Sequence, residues 1–412
     1  MKKINRKILI IGKDFYPDFI GVSKYTTEMA EWLAEKCSDL RVITSYPYYP
    51  EWRNKYYKGN YHYLRENSRN VKIYRCPIYI PHKPTGLKRI IHSISFAISS
   101  TPIAFYQIIF HRPSRIILIA PTIASALLPL LLSKLIRIKT IMHVQDLEID
   151  LALELKFVSH KFSPLLKFLE GFILNLPNSV STISSRMMKK IEIIRPDKTN
   201  NFLFPNWVNN ELIFPSIQAR SSFRNEYGIK SDDFVLLYSG NLAEKQGIEN
   251  LLNIGVSISS IDNAKMLIFG DGPSKAFIDK EIKKKKLNKV FSFPLVPTEK
   301  LNGLLNSADL HIVLQKEGID DYILPSKITN ILAIGGEIFV TGSSNSEIGE
   351  LIEKYPGIVN LYKASQISNM TKAIIAKILS HREYKLNNIA FQFAESNLHK
   401  EKILNEFFER IH

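Results

Sequence analysis

Four places in this chain put cations, amides or titratable groups where a β-strand hands over to a helix. In the run Y-S-G-N-L-A-E-K-Q-G a strand ends at Gly240 and Lys245 stands just before the next helix. A lysine there is either a point charge for phosphate or a solvated surface group. Further on, a strand ends near Gln315, a polar loop follows, and L-P-S-K opens a helix carrying Lys327 and Asn330. Pro325 suits a first helical turn, where its missing N–H costs nothing. Lys327 and Asn330 are three apart and share a face, so they offer a cation for phosphate and an amide for a ribose hydroxyl, or else a solvated surface. Near the N-terminus a strand ends at Gly12; Gly21 lets backbone approach a ligand closely, and Ser23 is placed to cap the helix that follows. Lastly, T-I-M-H-V-Q-D-L-E-I-D ends a strand at His143, followed by Asp146, Glu148 and Asp150. Such groups orient sugar hydroxyls or manage a proton; the alternative is a hydrogen-bonded core histidine beside exposed acids.

These residues need elements to hold them, and the chain supplies strand–helix alternation over most of its length. Residues 6–12, 40–45, 71–77, 116–120, 140–146 and 179–184 read as strands, with a helix over 23–36. A second series follows at 234–240, 264–273, 290–295, 310–315 and 337–342. Strands that are continuous apolar runs belong to parallel sheets covered on both faces. The pattern therefore predicts an α/β protein with two doubly wound parallel-sheet domains and a boundary near residues 206–222. In such sheets ligands sit at the carboxyl ends of strands, beside helix N-termini whose free N–H groups suit phosphate. Gly270, Asp271 and Pro273 make a tight turn after one strand. The aromatic loop over residues 45–63 is long enough to be functional. The last 31 residues, 382–412, are amphipathic and helical in pattern.

Composition excludes several classes. Hydrophobic residues are 45% and charged residues 23% of 412, the balance of a globular chain with a sizeable core. Two cysteines, Cys37 and Cys76, make no disulfide framework and no structural zinc site, which points to a reducing compartment. There is no G-x-G-x-x-G, P-loop, H-E-x-x-H, C-x-x-C, G-x-S-x-G or D-x-D motif, so a metal-dependent mechanism has no support in the sequence. Net charge is +16, which favours anionic lipid, nucleic acid or phosphorylated substrates. The basic start precedes an apolar run too short for a signal peptide and reads as a first strand. Residues 90–110 and 116–133 are longer apolar stretches. The second has 18 residues without charge, yet Pro121 and Pro129 make it a strand, a turn and a buried helix. Lys83, Lys88, Arg89, Arg112, Arg115, Lys134 and Arg137 flank the two stretches. They read either as core helices with solvated ends or as a surface lying on an anionic membrane without crossing it.

In order, F-x-P-x-x-x-G-V-x-K-Y, H-V-Q-D, P-N-W-V, Y-S-G-N-L-x-E-K-Q-G, G-D-G-P and L-P-S-K-x-T-N-x-L-A-x-G resemble the family-four retaining glycosyltransferases of the GT-B fold. Tyr48 to Trp52 and H-V-Q-D-L-E-I-D are most like the branch of colanic-acid fucosyltransferases and O-antigen fucosamine transferases. The resemblance runs from about Arg6 to Ala394. It implies two Rossmann-like domains facing across a cleft: 1–205, acceptor-binding and membrane-facing; 206–385, nucleotide-sugar-binding; and 386–412, a C-terminal helix packing back on the first domain. By matching positions it implies that His143, Asp146, Lys245 and Lys327 are catalytic. Gly21, Asn241, Gln246, Gly270, Asp271, Glu317, Asp321, Ser326 and Asn330 would bind the donor. Many members carry two glutamates separated by seven residues; Asn330 stands at the second position here and Tyr322 eight residues before it. Glu317, Asp320 or Asp321 would take over the first role.

The activity implied is transfer of fucose or an N-acetylated amino sugar such as N-acetylfucosamine. The donor would be a UDP- or GDP-sugar and the acceptor a lipid-linked saccharide of a bacterial O-antigen, capsule or exopolysaccharide. The reaction would be retaining, with the leaving phosphate taking the acceptor proton, and would need no metal or other cofactor. The implied partners are the donor, the acceptor and the anionic inner leaflet, with no nucleic acid; the implied location is cytoplasmic and peripheral. Two rivals remain on the residues alone: a nucleotide-sugar epimerase of similar fold, and a non-catalytic nucleic-acid binder argued only from +16.

Overall fold

The computed structural model describes residues 4–19, 21–120, 123–146, 163–197, 199–242, 247–315, 326–380 and 383–411. The chain divides into two units: Met1–Asn206 with Leu404–His412, and Trp207–Ile403.

The first unit is built on a sheet of β1 (Ile4–Ile11), β2 (Cys37–Ser45), β3 (Leu64–Ser68), β4 (Val71–Cys76), β5 (Arg115–Ala120), β6 (Lys139–Val144), β7 (Ser179–Thr182) and β8 (Asn201–Leu203). Among the described residues the strand order is β3-β4-β2-β1-β5-β6-β7-β8. All neighbours are parallel except β3, which pairs antiparallel with β4. Arg69 and Asn70, both at positive φ, make the tight turn between them. The order reverses between β1 and β5, the switch point of a doubly wound sheet. The charge-free stretch over 116–133 is divided as expected into β5 and a helix over Ile123–Leu135, which carries Pro129 in its interior. Phe407, near the chain's end, stacks on Phe204 at 4.0 Å between ring centroids, and Arg115 Nε donates to the carbonyl of Ile411 at 3.0 Å.

The second unit carries β9 (Phe234–Ser239), β10 (Ala264–Phe269), β11 (Val290–Phe293), β12 (Leu310–Val313), β13 (Ile338–Thr341) and β14 (Asn360–Tyr362). Its order is β11-β10-β9-β12-β13-β14, all parallel. Alternate residues of β9 feed opposite cores: Phe234, Leu236 and Tyr238 join one cluster, Val235 and Leu237 another. A strand buried on both faces has no polar side to show, which is why it reads as one apolar run. The first strand has the second on one flank and the fourth on the other, so the switch point falls between β9 and β12.

Candidate functional site

The carboxyl end of β9 is held by three interlocked loops. Gly240 N donates to the carbonyl of Phe269 at 2.8 Å, Leu242 N to that of Asp271 at 2.9 Å, and Ser274 N to that of Leu242 at 2.9 Å. Gly270 N donates to Phe293 O at 3.1 Å, which ties in the end of β11. This close approach needs glycine. A β-carbon on Gly270 would run into the Gly240 carbonyl, and one on Gly272, at φ +143°, would sit 2.8 Å from Asn241 Oδ1 and 2.9 Å from Leu242 O.

Lys327 arrives from the other side of the switch point. It is the second residue of the helix Ser326–Ala333, which follows β12 in the chain. Its ammonium donates to Tyr238 Oη at 3.0 Å and lies 4.3 Å from the centroid of that ring. Tyr238 Oη in turn donates to Asn241 O at 2.8 Å. The tyrosine is fully buried, and burial raises its phenol well above the usual value, so it keeps the proton that this relay requires. Gly240, at φ +129°, leaves the room that Lys327 uses: a β-carbon there would be 3.0 Å from Nζ and closer still to Cε. The outcome is a cation fixed over the end of the first strand, beside backbone that only glycine permits. Such an arrangement can neutralise a phosphate and position what is attached to it.

The structure thus brings Lys327, Asn241, Gly270 and Asp271 together. Asn330 is half-buried one turn along the same helix. Lys245, Gln246, Glu317 and Asp321 lie outside the described residues, as does the side chain of Ser326. Tyr238 is the member that sequence reasoning passed over. The Y-S-G-N motif shows it, but only the pairing of β9 with β12 reveals what its hydroxyl joins.

In the first unit, His143 is 2% exposed at the end of β6. Its Nδ1 lies 3.0 Å from Ser181 Oγ and its ring packs on Phe204 at 4.9 Å. Burial pushes its pKa down to about 3, so it is neutral at ordinary pH. Of the two readings open on the sequence, the described contacts are those of the hydrogen-bonded core histidine. Asp146 is half-buried two residues past β6. Gly21, at φ +61°, is the N-cap of the helix Val22–Lys36, and a β-carbon added there would meet nothing within 4 Å. Ser23 does not cap that helix: it lies inside the first turn, and its hydroxyl donates to the Asp18 carbonyl at 2.6 Å. The loop after β1 is rigidly tied to the aromatic loop after β2. Asp18 Oδ2 accepts from the N–H groups of Tyr48 (2.8 Å) and Tyr49 (3.0 Å), and Asp14 accepts from Tyr48 Oη at 2.8 Å. Fully buried Arg75 donates to the carbonyls of Ser45 and Tyr16. No group of three His, Cys, Asp or Glu side chains gathers among the described residues.

Comparison with known proteins gives the family. Residues 21–207 match the family model described as glycosyl transferase 4-like domain, and residues 219–356 match glycosyl transferases group 1. The putative colanic acid biosynthesis glycosyl transferase WcaI of Escherichia coli K12 is 35% identical over 413 residues, covering 98% of this chain and 99% of that protein. Among solved structures, sucrose-phosphate synthase from Thermosynechococcus elongatus matches with TM-score 0.68 at 14% identity, covering 98% of each chain. Anabaena HepE in complex with UDP and glucose matches with TM-score 0.66 at 13% identity, covering 98% of this chain and 99% of that one. These last two share the fold. On the sequence match and the two sheets together, the chain belongs to the family-four glycosyltransferases of the GT-B fold.

Proposed function

We propose that this glycosyltransferase moves a sugar from a nucleoside diphosphate donor, held by the second unit, to a lipid-linked saccharide in bacterial surface-polysaccharide assembly. The carrying observation is Lys327, fixed by Tyr238 against Gly240 at the switch point between β9 and β12. As the bond from the anomeric carbon to phosphate breaks, negative charge grows on the departing diphosphate. A cation held in place beforehand stabilises that charge without having to reorganise. The loop after β10, with Gly270 and Asp271, would frame the nucleoside, and Asn330 would meet the ribose. Lys245 and Gln246 would add contacts to the diphosphate. Asp146, half-buried just past β6, would act on the acceptor, and the enclosed His143 would hold the end of β6 in place. Transfer would retain anomeric configuration, with the leaving phosphate accepting the proton, and would proceed without a metal.

The polysaccharide setting rests on the 35% identity to WcaI, named for colanic acid biosynthesis. Fucose and N-acetylfucosamine are the sugars proposed, with a UDP or GDP carrier, and the enzyme would work at the cytoplasmic face of the membrane. Family membership leaves the epimerase and nucleic-acid readings without support.

The test is Lys327→Ala assayed with UDP- and GDP-sugars. Loss of one transition-state cation should lower kcat by about 10²–10³-fold, with the thermal melt unchanged, while wild-type turnover survives EDTA. A bound donor should raise the wild-type melting temperature by mass action. Equal kcat in wild type and variant would remove Lys327 from the leaving-group site.

A further inference from the structure

Just past the carboxyl end of β1, Lys13 is buried in the first unit, only 8% exposed. Lysine almost never lies so deep without a partner for its charge. The backbone holds it there: the Lys13 carbonyl accepts from Ser45 N at 3.2 Å, from Thr44 Oγ1 at 2.9 Å and from Ser45 Oγ at 2.9 Å. Its ammonium lies 5.6 Å from the centroid of the Tyr48 ring and makes no ion pair among the described residues. The nearby carboxylates are committed elsewhere, Asp14 to Tyr48 Oη and Asp18 to the N–H groups of Tyr48 and Tyr49. A ring face at the far end of cation–π range offsets only part of what it costs to bury an uncompensated charge.

The same tyrosine carries a second unanswered group. His92, on the helix Gly86–Tyr106, is 1% exposed, and its ring centroid is 4.3 Å from that of Tyr48. His92 Nδ1 lies 2.6 Å from the carbonyl of Tyr79, which can only accept, so Nδ1 holds the proton and Nε2 is a bare acceptor. Burial, helped by the charge of Lys13, pushes the pKa down to about 3, so this neutral form persists at ordinary pH. Nε2 is buried and has no hydrogen-bond partner. Trp52 closes over both rings, its indole 5.2 Å from Tyr48 and 5.2 Å from His92. The Trp52 backbone sits at φ +53°, which is strained for a bulky residue. Unanswered buried groups and local strain gather where a fold is shaped for a ligand.

The two groups ask for different things. Lys13 can only donate, and prefers an anion; His92 Nε2 can only accept, and needs a hydroxyl. A fully ionised diphosphate has no hydrogen to give, and a neutral sugar has no charge. A carboxylate and a hydroxyl on one sugar ring answer both, and the apolar C–H face of that ring suits the indole. We propose that Lys13, His92 and Trp52 form a subsite for a carboxylate-bearing sugar of the acceptor, with the carboxylate on Lys13, a hydroxyl on His92 Nε2 and the ring against Trp52. The inference rests on the reading of a saccharide acceptor and names the chemical class of one of its sugars. Because the indole covers Nε2, it moves aside as the sugar enters.

That movement supplies the measurement. Trp32 and Trp207, the other two tryptophans, are 6 and 2% exposed, so Trp52 dominates any change in fluorescence that a ligand causes. The experiment titrates the full chain with a glucuronate-containing disaccharide, with its carboxyl-reduced form and with sodium pyrophosphate. The acid should change the emission saturably and bind about tenfold or more tightly than the reduced form. Lys13→Met should abolish that preference while the melting temperature holds or rises, since an uncompensated buried charge is gone. Trp52→Phe should silence the signal. Equal binding of acid and reduced form, an acid preference that survives Lys13→Met, or a signal that survives Trp52→Phe would each overturn the proposal. So would pyrophosphate binding as tightly as the acid, which would assign Lys13 to a phosphate group instead. Binding of the acid with no glycosyl transfer from any UDP- or GDP-sugar would remove the proposed function and leave the subsite standing.

Discussion

At Gly240 the backbone turns at φ +129°, where an L-residue is strained, and the space a β-carbon would take is already held by Lys327. Gly240→Ala therefore meets two penalties, one in the backbone and one in the displaced lysine. It should cost about 1–3 kcal/mol of stability and weaken donor binding, measured as a lower melting temperature together with a raised KM for the donor. Tyr238→Phe separates the two roles. It removes the oxygen that joins Lys327 Nζ to Asn241 O while keeping the buried ring. A modest loss of kcat, smaller than that of Lys327→Ala, with little change in melting, is the expected split for a residue that positions the cation. If Tyr238→Phe and wild type share the same kcat and KM, the relay is only structural.

The elements behind this site are fastened from their opposite ends. Asp309, just before β12, accepts from Arg220 Nη2 at 2.5 Å and from Val235 N at the start of β9 at 2.7 Å. Arg220, on the helix Ile217–Glu226, also donates to the carbonyls of Asn306, Ser307 and Ala308. The two strands that flank the switch point thus share one buried carboxylate. Arg220→Ala should destabilise the protein by about 1–3 kcal/mol, because buried carbonyls lose their donor while Arg224 Nη1, at 3.4 Å, still pairs with the Asp309 carboxylate. The check is chemical denaturation, with turnover per folded molecule unchanged; a loss of turnover without a loss of stability would contradict this purely architectural role.

β1, β5, β6, β9, β10, β12 and β13 were legible in the sequence as apolar runs because strands covered on both faces leave no polar alternation to confuse, and β2, β4, β7 and β11, more mixed in type, were legible beside them. β3, β8 and β14 were not. β3 reads L-R-E-N-S, half-exposed at an edge, and the other two are three residues each. The site was legible as cations at strand ends, since the chemistry needed is carried by residue type. It was not legible that Lys327 reaches Tyr238, or that His143 is enclosed by Phe204 and, behind it, Phe407, because those neighbours meet only through the fold.

Across the whole molecule, buried histidines make stability depend on pH. His92, His111 and His143 in the first unit and His311 in the second are held below the usual imidazole range, at about 3, 4, 3 and 3, chiefly by burial. Folded, they stay neutral; unfolded, they take up protons near pH 6.5. The unfolded state therefore binds more protons as pH falls from about 6.5 toward 3–4, and stability is lost across that window. Each histidine contributes a slope of at most about 1.4 kcal/mol per pH unit. Urea midpoints should fall between neutral pH and pH ~5, and His143→Gln should flatten the decline. A midpoint indifferent to pH over that range would mean these imidazoles are hydrated in the native state.

The first unit is also discontinuous in the chain: Leu404–His412 belong to it, and all of the second unit is threaded between Phe204 and the Phe407 that stacks upon it. During synthesis from the N-terminus, the second unit emerges whole while its predecessor still lacks part of its core. The segment translated earliest is consequently sealed latest and waits on the ribosome with an unfinished interior.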